Sequence, residues 1–150
     1  MIKAVLIFMC CSIATYAPQP EVAESDIAII VNASNPVNTM GPEYVKNFWL
    51  RRFVRRWKEN NKGILPVDRR LRCAEQEIFY THVLGMPIKS VESYLAARQY
   101  QNGDNPPEKF NSDAEIINYV GTEAGAIGYV SASSINENDK NIKIVLRISK

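Results

Sequence analysis

One run of six residues constrains this chain more than any other: Gly125-Ala126-Ile127-Gly128-Tyr129-Val130. Three aliphatic residues and a Tyr accompany two glycines, directly after a helical pattern. Glycine has no Cβ, so a neighbour can press onto the backbone at those positions. The run predicts a buried strand in close contact with another part of the fold.

The chain has 150 residues, which fits one domain. With 46% hydrophobic and 23% charged residues it can build a core. Net charge is +2, too little to indicate nucleic acid as a specific partner. The charge is unevenly spread, however. Residues 51–72 hold nine Lys/Arg against Glu59 and Asp68, a local +7 that leaves −5 for the remainder. Such a segment either concentrates anions or is a solvated basic face.

The N-terminus reads as an export signal. Lys3 precedes the apolar run Ala4 to Ile13, which is short against the roughly 20 residues that span a bilayer. Cleavage is expected after Ala14, or as far on as Ala17, giving a signal over 1–14, a tether over 15–25 and a domain over 26–150. Cys10 and Cys11 follow the bulky Ile7-Phe8-Met9, a poor context for lipid attachment. Once the signal is removed only Cys73 remains, so no internal disulfide forms. With a single His, His82, no metal site of the His/Cys kind is expected.

Asp26 to Val31 is rich in β-branched residues and reads as a buried, parallel-type strand. It ends in the turn Asn32-Ala33-Ser34-Asn35-Pro36. Pro42 can open a helix, and Val45, Trp49, Phe53 and Trp57 recur every four residues as one apolar stripe. Ile64 to Val67 is a second strand, followed by Asp68-Arg69-Arg70-Leu71-Arg72-Cys73. Helices are expected over Ala74–Leu84, closed by Gly85, and over Ser90–Gln99, with Val91, Tyr94, Leu95 and Arg98 on one face. Ser112 and Glu115 have capping-box spacing, opening a helix that Gly121 ends. Ile142, Ile144, Leu146 and Ile148 alternate in a last strand over Asn141–Ile148. Four strands and four helices make an α/β domain.

These pieces carry a resemblance. The strand with Asn32…Ser34-Asn35-Pro36, Trp57…Gly63 leading into Pro66-Val67-Asp68, Phe79, Val83-Leu84-Gly85, Tyr94, Gly103…Pro106-Pro107, Tyr119-Val120 and the Gly125–Val130 run occur in an ordered set. The chain resembles short periplasmic-binding-protein-like domains of the phosphate ABC transporter solute-binding family, from about Ile27 to Val130. The resemblance implies a shortened type II periplasmic-binding-protein-like fold, with a small mixed or parallel sheet flanked by helices. It also implies non-covalent capture of phosphate or a similar oxyanion, and a periplasmic or secreted location.

Relatives hold phosphate with an Arg and an Asp beside a Ser-Gly-Thr turn that opens a helix. Backbone N–H groups there attract an anion, hydroxyls donate to it and Arg neutralises it. The resemblance puts Arg69 in the Arg position. Cys73 stands where the Ser is expected, Ala74-Glu75 replace Gly-Thr, Leu71 replaces the Asp, and Gln76 stands where short relatives carry an Arg. Ser34 and Asn35 in the first loop, with Arg69, Arg72 and Cys73 in the second, are the candidate ligand residues. In open α/β sheets the loops at the carboxyl ends of strands form the binding crevice, which motivates pairing these two.

Two other readings stay open. The chain is alternatively an interaction module that keeps the fold, lacks the ligand, and docks on a membrane or periplasmic partner through a face that includes Trp49 or Trp57. A third reading is salt-dependent polyanion binding by residues 51–72. An enzyme is not expected. Cys73 and His82 lie nine residues apart on one helical segment, more than about 10 Å by helical rise, and no nucleotide loop or cofactor motif is present.

Overall fold

The computed structural model describes residues 26–149, so the expected signal and tether lie outside the described residues. Strand β1 (Ile27–Asn32) is buried at all six positions. Its side chains feed two cores on opposite faces, with Ile27, Ile29 and Val31 in one and Ile30 in the other. A strand that is apolar on both faces needs cover on both. Helix α1 (Pro42–Trp49), α2 (Ala74–Ile78) with its π-helical continuation Phe79–Leu84, and α3 (Ile88–Asn102) supply the first layer. Helix α4 (Asp113–Thr122) supplies the second.

Five strands form one mixed sheet in the order β3-β2-β4-β1-β5. Strand β4 (Ala126–Ser131) is central. Strand β2 (Leu65–Arg69) runs parallel to it and to β3 (Glu108–Phe110). Strand β1 is antiparallel to both β4 and β5 (Ile142–Ile148), which corrects the parallel-type expectation. An unbroken apolar run reports burial on two faces. It does not report the direction of the neighbours.

The glycine expectation holds. A Cβ on Gly125 would lie 2.1 Å from the carbonyl oxygen of Gly63, and one on Gly128 would lie 2.7 Å and 2.8 Å from methyls of Ile116 and Val67. The strand is thus pressed by a backbone at one glycine and by both α4 and β2 at the other.

Two other expectations change. Helix α1 ends at Trp49, not Trp57, because Arg51 takes a left-handed backbone (φ 50°) and turns the chain out. Phe53 is consequently 89% exposed. Trp57 re-enters the core by a separate route, its indole N–H donating to the Gly125 carbonyl at 3.1 Å. In β5, a bulge at Val145 breaks the alternation, since Ile29 pairs with Leu146 but Ile30 pairs with Ile144. Ile144 therefore packs in the α4 core, and Leu146 and Ile148 in the other. Strand β3, an edge strand of three residues, is too short to show a period in the sequence.

Several helix ends follow the local signals, although α4 runs through Gly121 to Thr122. Gly85 and Gly103 take φ 65° just past the π-helical segment and α3. Ser112 Oγ accepts the Glu115 N–H at 3.2 Å, while Glu115 Oε2 accepts from Asn111 N–H at 2.8 Å. Both tryptophans are buried, Trp49 at 1% and Trp57 at 2% exposure, so neither forms a docking face.

Candidate functional site

The direction of β1 decides which loops meet. Because β2 and β4 are parallel, their carboxyl ends share one edge of the sheet, and β1 ends at the other. Val130 pairs with Ala28, and from Ala28 to Asn32 the strand rises about 13 Å. Ser34 and Asn35 therefore stand at the opposite edge from Arg69, Arg72 and Cys73. The structure does not bring the two expected loops together.

The Asn32 edge is largely closed on itself, with the buried Asn35 Nδ2 left without an acceptor among the described residues. Asn32 Nδ2 donates to the carbonyls of Val120 and Gly121, both at 2.9 Å, fastening β1 to α4. Asn32 Oδ1 accepts the Ser34 N–H at 2.9 Å and the Ser34 hydroxyl at 2.6 Å. Asn35 is buried and its Oδ1 accepts from Val37 N–H at 2.9 Å. These are neutral turn contacts.

The Arg69 edge is charged. Successive side chains of β2 point to opposite faces, so Asp68 and Arg69 enter different surroundings. Asp68, in the larger core, accepts hydrogen bonds from Tyr80 Oη and Tyr129 Oη, both at 2.5 Å, and from the Arg69 N–H at 2.7 Å. Burial first, then the Asp68 charge, pushes both phenols well above their ordinary range, so they remain donors. Gln76 Nε2 reaches Asp68 Oδ1 and the Arg69 carbonyl, each at 3.3 Å. The residue standing where short relatives carry an Arg thus braces the end of β2.

Arg69, 6% exposed, points the other way and pairs with Asp113 in the first turn of α4. The second Asp113 oxygen, Oδ2, accepts the Ser134 hydroxyl at 2.6 Å and the Ser131 N–H at 3.3 Å. The Ser131 and Ser133 hydroxyls lie 2.8 Å apart in the turn after β4. A guanidinium, a backbone N–H and a hydroxyl thus enclose one carboxylate, and the buried Arg69 Nε has no acceptor among the described residues. Asp113 also lines an open cavity of about 800 Å3 along α4, with Ser112, Asn118, Thr122, Ser134 and Asn141.

Arg72 is exposed, and Cys73 is half-buried at the start of α2 with no capping hydrogen bond from its side chain. Burial pushes the Cys73 thiol up, and neighbouring Glu75 adds to this, so the thiol is neutral. Arg70 donates to the Lys109 carbonyl at 3.1 Å, tying the β2–α2 turn to β3. The serines of the β4 turn and Asp113 were missed in the sequence. Asp113 reads there as a helix-cap residue, and only the sheet register places it against Arg69.

The fold matches solved structures. No family model and no curated protein matches the chain. A phosphate ABC transporter substrate-binding protein with bound phosphate, from Clostridium perfringens, superposes with a TM-score of 0.63 at 21% identity, over 83% of this chain and 46% of that one. An ABC-type phosphate transport receptor from Vibrio cholerae gives 0.61 at 20% identity, over 82% and 47%. PstS from Borrelia burgdorferi gives 0.61 at 13% identity, over 81% and 47%. The chain therefore has a periplasmic-binding-protein-like fold in a shortened form, spanning about half the length of these relatives. No described helix is long and apolar enough to cross a membrane.

Proposed function

We propose that this protein is a binding module that captures phosphate or a similar oxyanion without chemistry, at the carboxyl edge of β2 and β4. The observation that carries the reading is the Asp113 carboxylate itself. It is held by Arg69, by the Ser131 N–H and by the Ser134 hydroxyl, the groups that would hold an oxyanion. Arg72, the Cys73 backbone and the unpaired Arg69 Nε extend the same edge. The adjoining cavity, which Asp139 also lines, would be the anion's way in from solution. Two of the matched structures are phosphate transport proteins, one of them with phosphate bound, which supports this ligand class. An exported, periplasmic or secreted location fits the N-terminal sequence and the fold.

The edge opens to solution along this cavity, and affinity is modest. Asp113 competes with the ligand for Arg69. Calorimetric titration of phosphate into the full chain and into Asp113→Asn tests this. Saturable binding is expected, tighter in Asp113→Asn because the competing charge is gone, and weaker in Ser134→Ala. No saturable heat at millimolar phosphate, from either folded protein, overturns the reading and leaves the fold as a ligand-free interaction module. Weak binding that disappears at physiological salt and ignores both substitutions would instead assign the anion to the 51–72 basic segment.

A further inference from the structure

The second feature lies at the other end of the molecule and is independent of the oxyanion reading. Residues 50–64 leave α1 and return to β2 as an irregular excursion, closed by the Arg56–Gly63 bridge and by Trp57 N–H to the Lys62 carbonyl at 2.8 Å. The core holds this excursion firmly. Trp57 is pinned to Gly125, and Arg51 donates to the Ile64 carbonyl at 3.0 Å. Arg98 donates to the Arg51 carbonyl at 2.6 Å, and buried Asp104 pairs with both Arg55 and Arg98. Little of what these anchors hold out is used inside the protein, where Arg56 donates to the Asn61 carbonyl of the same excursion at 2.9 Å. Phe53 is 89% exposed, and Arg52, Arg56, Lys58 and Lys62 are exposed with no carboxylate partner among the described residues. Glu59 is the one acid in the excursion. Tyr44, 62% exposed, borders a shallow groove with Arg56, Trp57 and Lys58.

We propose that the 50–64 excursion is a docking element for an anionic lipid surface, in which Phe53 enters the headgroup layer and Arg52, Arg56, Lys58 and Lys62 meet lipid phosphates. The charge balance selects an anionic partner. The apolar part selects lipid over a folded protein or nucleic acid. Beside Phe53 the apolar side chains Val37, Met40, Phe48, Val54 and Trp57 line a recess of about 310 Å3 and not a broad face for a protein interface, and one projecting aromatic gives no row of rings for successive bases. A headgroup layer accepts an isolated aromatic wedge beside cations and needs no shape complementarity. Tyr44, with its polar tip, suits the same boundary. The excursion leaves the sheet where Leu65 pairs with Ala126, opposite the Arg69 edge, so docking keeps the anion cleft facing solution.

Flotation of the full chain with phosphatidylcholine vesicles, with and without phosphatidylglycerol, tests the proposal. The apolar N-terminal segment is identical in every variant, so the differences isolate the excursion. Partition is expected to rise with phosphatidylglycerol and to fall about fivefold for each of Arg52→Gln, Arg56→Gln and Lys58→Gln. Phe53→Ala should lower it by about tenfold. Phe53→Trp gives a local probe beside the two buried tryptophans, and its emission should shift blue on anionic vesicles only. The proposal is overturned if partition ignores phosphatidylglycerol. It is equally overturned if the folded Phe53→Trp chain binds vesicles without a spectral shift, or if the folded chain fails to bind vesicles.

Discussion

The two ends of the sheet are built from similar residue types and do different work. At the β1 end, Asn32 gathers two carbonyls, an N–H and a hydroxyl around a neutral amide. At the β2/β4 end, Asp113 gathers a guanidinium, an N–H and a hydroxyl around a charge. The amide uses its donors and acceptors to fasten α4 to β1. It leaves nothing for a ligand. The carboxylate occupies a position that suits an anion, and its removal leaves donors in place. Closing hydrogen bonds with neutral groups yields a joint, whereas closing them around one charge gives, on the function proposed above, the donor set of an oxyanion site.

The largest effect that separates the two ends is expected from Asp113→Ala. It strands the buried Arg69 guanidinium and should cost about 3–5 kcal/mol in chemical denaturation. Phosphate should restore more stability to this variant than to the unchanged chain, because it binds only the folded form. Asp68→Ala, beside the charged end, leaves two buried phenols without their acceptor and Gln76 with the Arg69 carbonyl alone. A loss of about 3 kcal/mol is expected, with no recovery by phosphate. Asn32→Ala removes the fastening at the neutral end, for a loss of about 2 kcal/mol with anion binding unchanged. Equal phosphate rescue of Asn32→Ala and Asp113→Ala would erase the distinction between the ends.

Cys73 sharpens the comparison at lower cost. Its thiol titrates above its ordinary value, and thiolate is the reactive form, so alkylation by iodoacetamide at pH 8 should run slower than for a free thiol. Reactivity should rise as pH climbs through and beyond that value. The smallest effect is expected from Ser34→Ala. Ser34 is exposed and, among the described residues, its side chain bonds to Asn32 alone, so stability should change by no more than about 0.5 kcal/mol and phosphate affinity should not change. A large loss of affinity would restore the first loop to the binding site.

Phe53 and Trp57 show where the reading of the sequence stops. Their spacing from Trp49 is helical, yet one is in solvent and the other is in the core. Periodicity counts residues along the chain and assumes that the backbone continues its path. Arg51 breaks that path with a left-handed turn, held by Arg98 and by the Ile64 carbonyl, partners remote in sequence. Val145 is a similar case. The alternating isoleucines of β5 predict one buried face, but a bulge divides them between two cores. By contrast Val91, Tyr94 and Arg98 do share a face of α3. Val91 packs in the core, Tyr94 donates to the Leu50 carbonyl at 3.0 Å, and Arg98 meets Arg51 and Asp104.

The sequence by itself determined the local features: the buried strands, the helix-ending glycine at 85, the Ser112 cap and the glycines that let Gly63, Val67 and Ile116 close on β4. Each depends on backbone sterics or on contacts within a few residues, or leaves a compositional mark such as a missing Cβ. Only the tertiary structure decided that β1 runs against β4. That choice puts Ser34 and Asn35 at the opposite edge from Arg69, while the parallel pairing of β2 with β4 puts Asp113 and the 131–134 serines beside it. The physical reason is that burying apolar faces is indifferent to strand direction. Direction is set by hydrogen-bond pairing between segments about a hundred residues apart, and no local pattern records it.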